Sequence, residues 1–270
     1  MELSLTGLAL GGLVGLIVAL TGAGGGILAV PLLVFGLHLS IVQAAPVGLI
    51  AVGAASALGA VLGLREGLVR YRAAVLMGIT GMLFAPLGVA LASRLPNAPL
   101  MGAFAVVLAG VAFRMYRQSL SGEAPRDIAK MPCVLNPQEG RLIWTVPCAW
   151  ALWATGVVSG LLSGLLGVGG GFVIVPALSR YTNVPPREVV ATSMAVIALV
   201  SVGGIAAGAW RGHVAWDVAA PFALGAVLAL LIGRKLATRL SGAKLQQAFA
   251  LVSGVVAVLL FARAMGWLAL

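Results

Sequence analysis

The stretch that decides the fold is residues 15–33, GLIVALTGAGGGILAVPLL, in which two apolar segments flank a Gly-x-Gly-Gly-Gly run. A continuous apolar helix of this length would cross a bilayer, so the glycines interrupt a membrane segment. The same interruption returns at residues 160–178, GLLSGLLGVGGGFVIVPAL, at an offset of 145. Ten of the 21 positions in 15–35 are identical to their partners at that offset. The chain therefore contains an internal duplication, which is common in transporters.

The composition is that of a protein whose solvent is the lipid bilayer. Hydrophobic residues make up 61% of the chain and charged residues 9%, and the mean hydropathy is +1.11. Uncharged runs of about 20 residues recur, the length an α-helix needs to cross a hydrocarbon core. We therefore predict an all-α polytopic membrane protein. The net charge of +10 does not indicate nucleic-acid binding, because the basic residues lie at the ends of apolar runs.

Ten apolar segments and one polar stretch organise the chain. The predicted segments are 3–20, 24–36, 43–64, 71–93 and 98–117 in the first half, and 144–165, 169–180, 188–210, 214–238 and 244–264 in the second. Between them lies a linker rich in proline and acidic residues, which predicts a soluble loop. The expected organisation is an N-terminal repeat (1–117), a cytoplasmic linker (118–143) and a C-terminal repeat (144–270).

The distribution of basic residues predicts that the second repeat is inverted. If the broken segment of each half is a re-entrant helical hairpin that returns to its own side, three transmembrane helices follow it. One face then receives 14 of the 17 basic residues, and the other receives Arg94, Arg211 and Arg263. If the broken segment crosses once instead, the repeats are parallel and the split is 10 against 7. Because basic residues collect on the cytoplasmic side, the inverted arrangement is favoured.

The two glycine runs are predicted to bind an anion. Inverted hairpins bring both runs to the midplane from opposite faces, each just before a short helix. The first N–H groups of a helix lack intrahelical acceptors, and the macrodipole places about half a positive charge there. Glycine lets a ligand approach these amides closely. The predicted substrate-binding residues of the two tips are Thr21, Gly22, Gly24, Gly25, Gly26, Gly167, Gly169, Gly170 and Gly171.

Close helix packing is the alternative explanation of the glycines, since small residues spaced by four also let membrane helices touch. We favour packing for Gly59, Gly63, Gly204 and Gly208. At the tips, three adjacent glycines followed by a proline exceed what packing needs. A dinucleotide-binding fingerprint would need a βαβ unit around the glycines, and none is predicted.

Hydroxyl side chains in the second repeat are further candidate ligands. Thr192 and Ser193 lie in the first turns of segment 188–210 and can donate hydrogen bonds to an oxyanion. Ser56 and Ser201 are weaker candidates, because Ser and Thr in membrane helices often bond the preceding turn.

Few other residues suggest chemistry. Glu188 and Asp217 are the best candidates for coupling to protons or cations, although positions at segment ends also suit interfacial residues. Cys133 and Cys148 indicate no disulfide framework and are interpreted as ordinary residues. No metal site, cofactor or catalytic cluster is predicted.

The motifs GAGGGILAVPLL at 22–33, GVGGGFVIVPAL at 167–178 and ATSMAVIALVS at 191–201 resemble the TauE/SafE family of membrane permeases, the sulfite exporters and their relatives. The likeness covers nearly the whole chain except the linker. It implies transport of a small sulfur-containing anion such as sulfite or an organosulfonate, often by export, across the bacterial inner membrane. The first half departs from the pattern, since APVGLIAV at 45–52 stands where ATSMAVIA carries its hydroxyls.

The function expected from these features is that of a secondary transporter that binds a small anion between opposed half-helix N-termini. The alternative is a permease for another small solute or a cation, with carbonyls of the unwound turns as ligands. A membrane-embedded enzyme is not expected, because no cluster of His, Asp, Glu or Cys lies near a segment centre.

Overall fold

The computed structural model describes residues 2–21, 25–121, 131–136, 141–212, 214–237 and 242–265. Within these ranges the chain forms ten α-helices, a 3₁₀ turn and a two-residue hairpin. The helices are α1 (Glu2–Thr21), α2 (Ala29–Gly36), α3 (Ile41–Arg65), α4 (Tyr71–Ala92), α5 (Asn97–Ser121), α6 (Val146–Leu166), α7 (Gly171–Tyr181), α8 (Pro186–Trp210), α9 (Trp216–Ala237) and α10 (Gly242–Ala264). The ten predicted apolar segments correspond to these helices, one for one.

Six of the helices are long and apolar enough to cross a membrane: α3, α4, α5, α6, α8 and α9. Helix starts follow local sequence signals. Ser40 caps α3 in a reciprocal pair with Gln43, and the Thr145 hydroxyl accepts from the Cys148 amide at the start of α6. Each cap satisfies an amide that has no intrahelical acceptor. The predicted multi-pass helical membrane protein is confirmed.

Two helix pairs pack in parallel through glycines. Gly11 and Gly15 of α1 lie against the backbone of Phe222 and Ala226 in α9, so residue numbers rise together along both helices. In the same way Gly160 and Gly164 of α6 lie against Gly81 and Ala85 of α4. A Cβ on Gly11, Gly15, Gly160 or Gly164 would overlap the opposing backbone. The pairs are equivalent at the offset of 145, with α6 in place of α1 and α4 in place of α9.

Helices α3 and α8 form the centre of the molecule and run antiparallel. They are the two most buried of the membrane-spanning helices. Rising residue numbers on α3 face falling numbers on α8, in the pairs Pro46–Gly208, Leu49–Gly204, Gly53–Ser201, Gly59–Met194 and Gly63–Ala191. The packing role predicted for the glycines at 59, 63, 204 and 208 is confirmed by these contacts. Both helices are 25 residues long, about 37 Å at 1.5 Å per residue.

The first broken segment is helical on both sides of its glycines. After α1, a 3₁₀ turn at Gly25–Leu28 leads into the short helix α2. A Cβ built on Gly36, the last residue of α2, would lie 2.7 Å from Leu10 Cδ1, in the first half of α1. The chain therefore folds back along α1 after the turn. The sequence predicted one segment over 24–36, and the 3₁₀ start had no signal of its own.

The linker contains a disulfide that the sequence did not predict. Cys133 and Cys148 are joined by an S–S bond of 2.01 Å, and both are fully buried. The interpretation of these cysteines as ordinary residues is therefore wrong. The bond ties the linker to the start of α6, and the Cys133 amide also donates to the Tyr181 carbonyl at the end of α7. A hairpin of β1 (Leu135–Asn136) and β2 (Arg141–Leu142) follows.

Candidate functional site

The second glycine run forms a tight turn between α6 and α7. Gly167, Gly169 and Gly170 have φ values of 72°, 74° and 72°, a left-handed conformation that side chains rarely adopt. Gly170 is the N-cap of α7 and supplies no side-chain hydrogen bond. Its carbonyl accepts from the amides of Val173 and Ile174, at 3.0 and 3.2 Å. The turn therefore places the positive end of α7 inside the protein, without a side-chain cap.

The walls around this turn come from α3, α6 and α8. A Cβ on Gly167 would overlap Ala45 of α3, and one on Gly169 would lie 2.8 Å from Ile197 Cγ2 of α8. On the α6 side, the Ser159 hydroxyl donates to the Gly170 carbonyl at 3.3 Å. The turn therefore fills the crevice where α3 and α8 cross.

The first glycine run approaches the second. A Cβ built on Gly26 would lie 3.0 Å from the Val168 carbonyl oxygen and 2.9 Å from Val52 Cγ1. Val52 also lies 3.3 Å from the Cβ position of Gly169, so one α3 side chain contacts both runs. Since Val52 is one residue from the middle of α3, Gly26 and Gly169 lie level with the centre of this helix.

Part of the first predicted site lies outside the described residues. Gly22 and Gly24 fall there, and so does the side chain of Thr21, the last residue of α1. Gly25 begins the 3₁₀ turn. For the described part, the structure brings Gly26 next to the turn that contains Gly167, Gly169 and Gly170. Gly171 is the first residue of α7.

Thr192 and Ser193 are buried, and both hydroxyls make hydrogen bonds within the protein. Thr192 Oγ1 accepts from the backbone amide of Arg70 at 3.0 Å, which ties α8 to the start of α4. Ser193 Oγ donates to the Val190 carbonyl of its own helix at 2.8 Å. Their predicted role as substrate ligands stays a prediction. The bond between Thr192 and Arg70 could not be predicted from the sequence, because the partners are 122 residues apart.

Glu188 belongs to an ion pair between the two halves. Its Oε2 accepts from Nε and Nη2 of Arg70 at 2.8 and 2.5 Å, and both side chains are largely buried. A second pair joins Arg234 of α9 to Glu66, which follows α3, at 2.8 Å. Asp217 lies in the first turn of α9. Both ion pairs lie where α3 ends and α8 begins.

The glycine turns line neither of the two cavities we describe. One, of about 20 Å³, lies between the start of α3 and the ends of α4, α6 and α8, and is large enough for one water. The other, of about 560 Å³, is an apolar groove between α5 and α10. In the described ranges no three His, Cys, Asp or Glu side chains cluster as metal ligands would.

Comparison with known proteins identifies the family of this chain. It matches the family described as "Sulfite exporter TauE/SafE" over residues 7–260. A "Probable membrane transporter protein" of Xylella fastidiosa is 30% identical over 96% of this chain and 95% of its own length. One from Methanocaldococcus jannaschii is 29% identical over 72% of this chain and 68% of its own. No solved structure matches significantly. The chain therefore belongs to the TauE/SafE family of membrane transporters.

Proposed function

We propose that this transporter is a secondary carrier or facilitator for a small oxyanion, such as sulfite or an organosulfonate. The observation that carries the proposal is the meeting of the two glycine runs, Gly26 against Val168, level with the middle of α3 and α8. Each run precedes a short helix whose first amides lack intrahelical acceptors. Two such helix starts at one point supply a positive field without a buried lysine or arginine.

Helix directions support two inverted repeats, each with a re-entrant hairpin. At the offset of 145, α3 and α8 are equivalent, so parallel repeats would place them in the same direction. The contacts from Pro46–Gly208 to Gly63–Ala191 run the opposite way. The hairpin is supported by the return of α2 along α1, from the turn at Gly25 to Gly36 beside Leu10. A broken segment that crossed once would continue away from Leu10.

The character of the buried polar groups also fits an anion better than a metal cation. Among the described residues, every buried polar side chain is a hydroxyl of Ser or Thr. The described acidic side chains that could neutralise a cation, including Glu66, Glu188 and Asp217, lie at helix ends. A buried cation without a carboxylate is costly, whereas hydroxyls and helix amides can donate to an oxyanion.

Transport would then proceed by movement of one half against the other. The ion pairs Arg70–Glu188 and Arg234–Glu66 hold the halves together at one end. Breaking these ion pairs would open the glycine turns to the side of the membrane on which the pairs lie. Separating the halves at the end without these pairs would open the turns to the opposite side. This is the alternating access expected of inverted repeats, in the bacterial inner membrane.

One observation favours a second candidate, a permease for a cation. The Val168 and Gly167 carbonyl oxygens lie 3.0 and 3.1 Å from the Cβ positions of Gly26 and Gly48, so both carbonyls face the first repeat. Carbonyls of unwound turns coordinate cations in some carriers. The sign of the substrate charge separates the two candidates.

Flux into proteoliposomes tests the proposal. The purified protein is reconstituted and uptake of sulfite, a small organosulfonate, sulfate and potassium is measured at clamped membrane potential. We expect saturable flux of sulfite or the sulfonate, and none of potassium. Potassium flux without flux of any of the anions would reject the anion carrier in favour of the second candidate. Protein-free vesicles serve as the control for leakage.

A further inference from the structure

Two buried hydroxyls in the centre of the molecule have no hydrogen-bond partner. Among the described residues, Ser56, Ser163, Ser201 and Ser253 have a buried hydroxyl oxygen without a partner. Other buried hydroxyls in the membrane helices, such as Thr80, Thr155 and Ser193, donate to a carbonyl of the preceding turn. That bond is the usual solution for a hydroxyl in an apolar setting, and a hydroxyl left without it is costly.

Ser56 and Ser201 are the only two of these four that are equivalent at the offset of 145, one on α3 and one on α8. The position equivalent to Ser163 is Val18, and the one equivalent to Ser253 is Leu108. Ser56 and Ser201 are 0% and 1% exposed. A pair of unpartnered hydroxyls at equivalent positions in both halves indicates a shared requirement.

The contacts of the crossing place these hydroxyls close to each other. Ser201 faces Gly53, since its Oγ lies 3.1 Å from the Cβ position of Gly53. Ser56 follows Gly53 by three residues, or about 4.5 Å along the helix. Each serine also lies three residues beyond the central residue of its 25-residue helix. The two side chains are therefore about one helical turn apart at the centre of the protein.

Ser201 lies beside the glycine turn as well. Its Oγ is 3.8 Å from the Cβ position of Gly169, two residues before α7 begins. Gly169 has no side chain, so little separates this hydroxyl from the start of α7. The glycine equivalent to Gly169 in the first half, Gly24, lies outside the described residues. Ser56 shares with Ser201 its burial, its lack of a partner among the described residues and its place in the repeat.

We propose that Ser201 and Ser56 are substrate-binding residues, and that each donates a hydrogen bond to an oxygen of the bound oxyanion. This inference rests on the proposed function. Such a site selects anions with two or more acceptor oxygens, because the hydroxyls come from opposite halves. It also gives each half a direct contact with the substrate, so that binding draws α3 and α8 together. Among the described residues, neither hydroxyl has another hydrogen-bond partner.

The test compares alanine variants that remove one oxygen each. Ser201→Ala and Ser56→Ala are expected to raise the KM for sulfite or sulfonate flux roughly ten- to a hundredfold, the usual effect of losing a hydrogen bond to a charged group. Their melting temperature without substrate should stay at the wild-type value, because the hydroxyls bond nothing in the protein. Ser201→Cys, a near-isosteric weak donor, should behave as Ser201→Ala does.

Ser253→Ala is the matched control, because Ser253 is 0% exposed and equally unpartnered but lies on α10. Its KM should equal that of the wild type. A KM for Ser201→Ala within about twofold of wild type, with the wild type carrying the oxyanion, would overturn the inference and leave the proposed function intact. Absence of oxyanion flux in the wild type would overturn both. A rise in melting temperature with added sulfite, lost in Ser201→Ala, supports direct binding.

Discussion

Arg70 and Glu188 join the two halves of the protein through two hydrogen bonds to a single carboxylate oxygen. The arginine and glutamate side chains are 22% and 16% exposed, whereas those of the second pair, Arg234 and Glu66, are 29% and 50% exposed. A charge left in a largely buried place without its partner is strongly destabilising, but an exposed pair contributes little. The two ion pairs should therefore contribute differently to the free energy of unfolding, although both connect the same halves.

We expect Arg70→Ala to lower the free energy of unfolding by about 1–3 kcal/mol. The matched variant Arg234→Ala should lower it by no more than about 1 kcal/mol. Unfolding in detergent, followed by intrinsic tryptophan fluorescence, measures both. Equal losses for the two variants would contradict the importance of burial here. A double variant, Arg70→Ala with Glu188→Ala, should be less destabilised than Arg70→Ala alone, because no unpaired charge remains.

A substitution at Gly170 should damage folding as well as transport. Gly170 has φ of 72°, and a Cβ there would overlap Ser159 Oγ, so Gly170→Ala imposes both strain and a clash. We expect a loss of stability of about 1–3 kcal/mol and of most flux. Fluorescence-detected gel filtration, melting temperature and flux on the same preparation report these effects.

Gly67→Ala separates the two causes, because Gly67 has φ of 70° and nothing within 4 Å of its Cβ position. It should cost only the backbone strain of about 1–2 kcal/mol and retain flux. Gly254→Ala, in an open helical position of α10, should be neutral or slightly stabilising. If Gly170→Ala reduced stability and flux no more than Gly254→Ala does, the close contact between Gly170 and Ser159 would be contradicted.

Thr192 should act on the structure of the protein through its bond to the Arg70 amide. Thr192→Val keeps the shape and removes the acceptor, which leaves a backbone N–H of the loop before α4 without its partner. We expect a loss of about 1–3 kcal/mol in stability. Ser193→Ala removes only a bond within α8 and should cost less than about 1 kcal/mol. Melting curves and KM values of both variants show whether either residue contacts the substrate. Substitution of a substrate ligand raises the KM for flux, whereas loss of a purely structural bond lowers only the melting temperature.

The disulfide offers a test of the side on which the linker lies. Disulfides are rare in the reducing cytoplasm and stable outside it. Because the basic residues predict a cytoplasmic linker, we expect Cys133 and Cys148 to be thiols in growing cells and to form the bond after purification in air. Acid quenching followed by alkylation with a mass tag, and a gel shift, counts the free thiols. A fully oxidised pair in quenched cells would place the linker outside and reverse the predicted orientation.

Reduction should also change stability in vitro. The bond closes a 15-residue separation, for which chain entropy predicts about 3 kcal/mol. We expect a lower melting temperature for the purified protein after treatment with a reductant. The variant Cys133→Ser should melt at the temperature of the reduced wild type and should not respond to reductant. A melting temperature that does not change on reduction would contradict a stabilising role for the bond.

The helices could be predicted from sequence because each apolar run is bounded by proline, glycine or charge. Ser40 and Thr145 stand at helix starts where caps are expected, and Pro186 opens α8. The antiparallel crossing of α3 and α8 was implied only indirectly, by the distribution of arginine and lysine. The features that were not predicted are contacts between residues without a common sequence pattern. Cys133 and Cys148 lie in and beside a linker without periodicity, so nothing in their spacing indicates that they meet.

The candidate site was predictable in its backbone and less so in its side chains. Three glycines in a row before a short apolar helix indicate a buried turn, and Gly169 and Gly170 adopt it. The sequence could not show which hydroxyl is the best candidate ligand, because this depends on the hydrogen bonds that each hydroxyl makes within the folded protein. Thr192 was predicted as a ligand from its place in the helix, and in the fold its hydroxyl oxygen accepts from the Arg70 amide. Ser201 has no hydrogen-bond partner in the described part of the chain, a property that only the folded packing reveals.

The ion pairs of Glu66 and Glu188 affect the relative energies of the conformations that the proposed transport cycle needs. The residues equivalent to Arg70 and Glu188 are Ala215 and Gln43, and those equivalent to Arg234 and Glu66 are Val89 and Arg211. Both ion pairs between described residues thus lie at the same end of the molecule, so in the proposed cycle the two open forms would differ in energy. Such an imbalance cannot decide the direction of net flow, which concentration and voltage gradients determine. In the proposed cycle it would determine which open form is more populated before substrate binds, and hence from which side of the membrane substrate binds first.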